Sequence, residues 1–113
     1  MMKYRNIKTE YNGVLYDSRK EMRRAVALEW MERAGIIRNL ERQKVFVLQD
    51  GYINNRGEKI RPITYVADFV YFDTERDKNI VEDVKSPATR TDVYRIKKKL
   101  FEAKYPEYWF EET

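Results

Sequence analysis

The 113-residue chain contains no cysteine and no histidine, and only four glycines and three prolines. Without cysteine it can form no disulfide, no thiolate nucleophile and no cysteine-ligated zinc site, and a reducing compartment is the expected setting. Without histidine, serine triads with an imidazole base, histidine-zinc hydrolases and nucleases with a histidine base are excluded within this chain. Chemistry is left to carboxylates, lysine, tyrosine and hard metals that prefer oxygen. No apolar run approaches the ~20 residues of a membrane span and no signal-peptide pattern opens the chain, so a soluble, cytoplasmic protein with no membrane partner is expected. Repeats, low-complexity tracts and Pro/Gly-rich linkers are also missing, and residues 1–113 read as one domain. Charge, by contrast, is plentiful. Twenty-three basic residues against nineteen acidic ones leave +4 and a pI near 9.2, which suits an acidic partner without demanding one.

The pattern along the chain alternates between strand and helix. Asn12-Gly13 between short apolar stretches predicts an N-terminal hairpin over about residues 7–17, because both turn positions need positive φ. Ser18 as N-cap, Glu21 three residues later and Gly35 as a left-handed stop bound a helix from about 19 to 34. Its apolar residues Met22, Ala25, Val26, Leu28, Trp30 and Met31 spread around the cylinder, which predicts cover on two sides, by a sheet and by a second copy. "GIIRNL" and "QKVFVLQ" read as extended, and "DGYINNRGEKIRP" as a polar, turn-rich connection. "ITYVADFVYF" is the strongest strand pattern, and "IVEDVK" is the next strand, ended by Ser86-Pro87. From Thr89 or Thr91 to Tyr105 the period becomes helical, with Val93, Ile96, Leu100 and Ala103 as the apolar stripe and "YWFEE" returning as an edge strand. The fold class is α/β, a central mixed β-sheet flanked by helices.

Two acidic-x-Lys matches stand out against this frame. Glu102-Ala103-Lys104 lies in the second helix, where residues two apart diverge by about 200°, so its charges share no site. Asp83-Val84-Lys85 lies on a strand, where residues two apart share a face, and its carboxylate and ammonium meet. Asp68 sits in the middle of the preceding strand, and antiparallel pairing through a short turn brings it beside Asp83. Two adjacent carboxylates repel unless a cation bridges them, and without histidine or cysteine that cation is Mg²⁺ or Mn²⁺. Strand parity turns Glu82 to the opposite face, toward a basic structural partner.

This order, a helix glutamate, a strand aspartate and then Asp-x-Lys on the next strand, resembles the PD-(D/E)XK nuclease superfamily with its restriction-endonuclease-like core. More narrowly, "YVADFVYF", "IVEDVKS" and "TDVYRIKKKLFEAKYP" are similar to small phage and prophage proteins that resemble Holliday-junction resolvases. The likeness runs from "IKTEYNGVLYDSRKE" to the final aromatic strand. It implies Asp68, Asp83 and Lys85 as catalytic positions with Glu21 from the first helix, and Asp68, Asp83, Glu21 and the Val84 carbonyl as metal ligands. Ala67 replaces the usual proline, which is no ligand. The implied activity is Mg²⁺-dependent hydrolysis of phosphodiesters in branched DNA by a homodimer, leaving 5′-phosphate and 3′-hydroxyl ends. A nuclease for flaps, single strands or nicks, or a DNA-binding protein without catalysis, remains the alternative.

Each position also has a plainer role. Glu21 can close a capping box with Ser18, and Asp83 with Lys85 can be an ion pair on an edge strand. Arg19, Lys20, Arg23 and Arg24 on the first helix, and Arg90, Arg95, Lys97, Lys98 and Lys99 on the second, can be solvated faces or DNA phosphate contacts. The resemblance places Tyr94 and Lys97 near the DNA backbone, whereas Tyr52, Tyr108 and Trp109 are candidates for base stacking or aromatic core.

Overall fold

The computed structural model describes residues 8–86 and 89–113. The elements run β1 (Thr9–Tyr11), β2 (Val14–Tyr16), α1 (Arg19–Arg33), β3 (Ile37–Gln49), β4 (Tyr52–Ile53), β5 (Lys59–Ile60), β6 (Ile63–Asp73), β7 (Lys78–Asp83), α2 (Asp92–Lys104) and β8 (Tyr108–Glu112). The main sheet has the order β3-β6-β7-β8, antiparallel across the first two joints and parallel across the last. A parallel joint needs a crossover, and α2 supplies it. The result is the expected mixed α/β arrangement.

Each layer follows from local sequence. Asn12 and Gly13 adopt φ of 52° and 76° at the tip of β1–β2, as predicted, with residue 7 of the expected hairpin outside the described residues. Pro87, expected to end the strand of β7, also lies outside them. Ser18 caps α1 by accepting from the Glu21 amide at 3.1 Å, and Gly35 follows the helix at φ 78°. The reciprocal half of the capping box is replaced, because the Glu21 carboxylate accepts from Arg42 and Gln43. Ala25 and Leu28 of α1 pack with Tyr16, Ile37, Phe69, Tyr71 and Ile80 on one face of the sheet. Trp30 remains 64 % exposed, so the described chain covers α1 on one side.

The other face carries α2. Here the structure corrects the expected stripe: Val93, Ile96 and Leu100 are exposed, whereas Tyr94 and Phe101 are buried. The larger apolar area wins. Phe101 sits within 6 Å of the ring centres of Phe46, Tyr65, Tyr105, Tyr108 and Phe110, and orienting α2 toward that aromatic cluster turns the aliphatic stripe outward. Tyr108 is thereby a core residue rather than a free stacking platform, while Trp109 is half exposed under the Lys78 ammonium. The segment read as a polar connection holds the small β4–β5 ribbon.

One irregularity positions the site. Ala67 packs on the α2 side and Phe69 on the α1 side, although residues two apart on a strand normally share a face. The break falls at Asp68. Across the ladder, Gln43 lies between the register pairs Arg42–Phe69 and Lys44–Ala67 and has φ 55°, the left-handed region that costs a non-glycine residue about 1–2 kcal/mol.

Candidate functional site

The break in alternation leaves Asp68 free to reach past the end of β7, where its Oδ2 accepts from the Val84 amide at 2.7 Å. Asp83, the last residue of β7, stands one step beyond the register pair Phe69–Glu82, so the two aspartates are neighbours on adjacent strands. Lys85 lies beyond the strand but continues its parallel pairing: the Lys85 amide donates to the Thr113 carbonyl and the Thr113 amide to that of Asp83. The Asp83 and Lys85 side chains therefore share a face, with Nζ 2.8 Å from Oδ2. The Tyr94 ring supports the ammonium, its centre 3.8 Å from Nζ.

These groups open into a cleft of about 460 Å³ between the N-terminal ends of α1 and α2, lined by Glu21, Gln43, Asp68, Asp83 and Lys85 among others. Its electrostatics are unfinished. Burial, and then the charge of Asp83, push the Asp68 carboxyl up to about 8, against the lowering effect of the Val84 amide. Asp83 is 3 % exposed, and its Oδ2 lacks an aligned hydrogen-bond donor among the described residues despite the nearby ammonium. The Tyr65 hydroxyl, also buried and without an aligned partner among the described residues, lines the same cleft, and burial followed by the Asp83 charge raises its pKa. Unpaired buried polar atoms each cost about 1–3 kcal/mol, which a bound cation with its water shell would recover.

Glu21 enters from α1, 3 % exposed, with Oε2 3.3 Å from both Arg42 Nη2 and Gln43 Nε2. Burial is the main cause that raises its pKa, partly offset by Arg42. The same Gln43 amide is 3.4 Å from Asp68 Oδ1, so one strained residue bridges both acids. Among the described residues, no three acidic side chains converge tightly enough to form a ready metal cage. The structure thus brings Glu21, Asp68, Asp83 and Lys85 to one cleft, with the aspartates as the close pair and Glu21 turned toward Arg42.

Residues 1–111 match a family described as Protein of unknown function (DUF1064). The chain belongs to the DUF1064 family. Comparison with curated proteins and with solved structures returns no match.

The basic positions of this DUF1064 chain divide by environment. Arg19 and Arg23 are exposed on α1, and Lys20 donates to the Lys85 carbonyl. Arg90 and Lys98 lean on Glu112 at 3.4 and 3.9 Å, and Arg95 pairs with Asp92 at 3.1 Å. Lys97 lines the cleft. Tyr94 is 8 % exposed with its hydroxyl donating to Glu112 at 2.6 Å, so it packs beneath the site instead of facing outward. Nothing in the sequence singles out Gln43, Arg42 or Tyr65 as site residues. A glutamine in "LERQKVF" carries no strand-parity signal that would reveal a left-handed φ.

Proposed function

We propose that this protein is a divalent-metal-dependent endodeoxyribonuclease that hydrolyses phosphodiesters in branched DNA, the four-way junction foremost. The observation that carries this reading is the pair Asp68 and Asp83, the first half-buried and the second buried, side by side with an unsatisfied oxygen and flanked by Lys85 in an open cleft. The donor set is all oxygen, which suits hard divalent cations such as Mg²⁺ or Mn²⁺. Asp68 and Asp83 would hold the ion, with the Val84 carbonyl and Glu21 as further oxygens. When bound, it supplies Lewis acidity and makes water a nucleophile near neutral pH.

The chain's own groups do the rest. Lys85, fixed between Asp83 and the Tyr94 ring, aims a donor at the phosphate oxygen where negative charge grows. Gln43 spaces Glu21 from Asp68. Lys97 at the cleft wall and the exposed Arg19 and Arg23 supply phosphate contacts that read charge and shape rather than base sequence. The resemblance of the sequence pattern around Asp68, Asp83 and Lys85 to junction-resolving nucleases motivates the choice of branched DNA. Symmetric cutting then calls for a two-fold homodimer. Cytoplasmic location accords with a substrate of this kind, and no helix among the described residues is long and apolar enough to cross a membrane.

Labelled junctions, flaps, nicked duplex and single strands incubated with Mg²⁺ provide the test. Junction cleavage is expected, with Asp83→Asn slower on the order of 1,000-fold, the scale of losing a charge-stabilising group. Glu21→Gln keeps the Ser18 cap, which uses the residue 21 amide, and a side-chain oxygen that can accept from Arg42 and Gln43, so full activity in that variant removes Glu21 from the ligand set. Salt-dependent DNA binding without cutting, indifferent to Mg²⁺ and to Asp83→Asn, would replace the nuclease by a DNA-binding protein.

A further inference from the structure

The strands that carry Gln43 and Asp68 continue beyond the main sheet into the separate β4–β5 ribbon. The ribbon is built rather than slack. Asn54 Oδ1 accepts from the amides of Arg56 and Glu58 at 3.0 and 2.9 Å, and its Nδ2 donates to the Glu58 carboxylate at 2.9 Å. The Asn54 amide donates to the Glu58 carbonyl and the Gly57 amide to the Asn54 carbonyl, both at 3.0 Å, while Gly57 takes φ 81°. At the base, a Cβ on Gly51 would fall 2.9 Å from the Ile60 carbonyl oxygen, so only glycine permits the two strands to close there.

This hydrogen-bonded element carries side chains that stand in solvent. Tyr52 and Ile53 are 50 % and 65 % exposed. Arg56, Lys59 and Arg61 are exposed and make no ion pair among the described residues, whereas the Glu58 carboxylate is occupied by Asn54. A fixed ribbon with three uncommitted cations and amphipathic flanks matches a polyanion, and a two-stranded ribbon fits the major groove of a duplex, about 12 Å wide.

We infer that β4–β5 is an arm that grips duplex DNA flanking the cleft, with Arg56, Lys59 and Arg61 on phosphates. The inference deepens the nuclease reading and rests on DNA being the partner of the cleft. Asp68 is five residues from Ile63 along β6, about 17 Å, and the tip at Gly57 is six residues further. The arm therefore reaches at most about 37 Å from the cleft, close to one helical turn of about 10 base pairs. The substrate class narrows to branched DNA whose duplex arms are at least that long.

The test compares wild type with the triple variant Arg56→Ala, Lys59→Ala, Arg61→Ala in metal-free binding to linear duplexes of about 8 and about 30 base pairs across a salt series. On the long duplex the variant is expected to bind on the order of 100-fold more weakly at 0.1 M salt, with the slope of log affinity against log salt shallower by up to about 2.7. On the short duplex the two proteins converge, and melting temperatures agree throughout. Equal affinities and slopes on the long duplex overturn the arm. A changed sedimentation coefficient with unchanged DNA affinity overturns it also, in favour of a contact between copies. Junction cleavage by the wild type reads the parent proposal separately: cutting with an unaffected variant defeats only the arm, and arm-dependent affinity without cutting defeats only the nuclease.

Discussion

Glu82 and Asp83 are consecutive on β7, both almost wholly buried, yet they meet opposite surroundings. On the α1 face, Glu82 receives two bonds from the Arg24 guanidinium, one from the Tyr71 hydroxyl at 2.6 Å and a longer one from Thr113 at 3.3 Å. Its bonds hold Arg24 firmly in the charged form. On the α2 face, Asp83 has the Lys85 ammonium, a second carboxylate beside it and an oxygen without an aligned donor. The contrast separates two uses of buried charge. A carboxylate whose lone pairs are filled by its own fold ties elements together, and one left half-filled beside another acid is prepared for something from outside.

The largest expected effect falls on the closed side. Glu82→Ala strands the Arg24 guanidinium and the Tyr71 hydroxyl, and urea denaturation should show a loss of about 3–5 kcal/mol, the scale for breaking one partner of a buried pair. Asp83→Asn should cost less than about 1 kcal/mol in metal-free protein, because it also removes the repulsion with Asp68. Equal losses in the two variants would erase the distinction.

A smaller effect sharpens the open side through pH. Asp68, raised to about 8 by burial and by Asp83, binds its proton more tightly in the folded state than in the unfolded chain, where an aspartate titrates near ~4. Its contribution to stability is therefore complete below about pH 4 and lost as pH rises through about 8. Glu21, raised mainly by burial, acts in the same direction. Asp73 and Glu112, held below the carboxylate range chiefly by hydrogen bonds from Arg76 and Tyr94, lose their contributions only at more acidic pH. Metal-free protein should thus denature at higher urea near about pH 5.5 than near about pH 9, and Asp68→Asn should flatten most of that difference. A profile indifferent to Asp68→Asn would mean that its carboxyl is not the strained group.

Much of this contrast was legible in the sequence. Strand parity alone sent Glu82 and Asp83 to opposite faces, and Asn12-Gly13, Ser18 and Gly35 marked turn and helix ends because their conformational demands are local. The face that α2 buries was not legible, since helical spacing fits both the aliphatic stripe and the Tyr94–Phe101 pair, and only the aromatic cluster contributed by three other strands decides between them. Gln43 was hidden for a related reason. Its left-handed φ is imposed by the long-range β3–β6 ladder, and nothing in its neighbours announces it. Glu21 fell between the two: its amide obeyed the capping signal, and its carboxylate answered to Arg42 and Gln43, distant in sequence.

Calorimetric titration of Mn²⁺ into wild type, Asp83→Asn and Glu82→Gln near pH 8 asks most directly whether the half-filled acid is a cation site. Saturable binding is expected in wild type and in the folded Glu82→Gln protein, with release of the proton held at Asp68, and none in Asp83→Asn. Identical heats from all three folded proteins, or an absence of binding in wild type, would contradict the assignment of Asp68 and Asp83 as the seat of the chemistry.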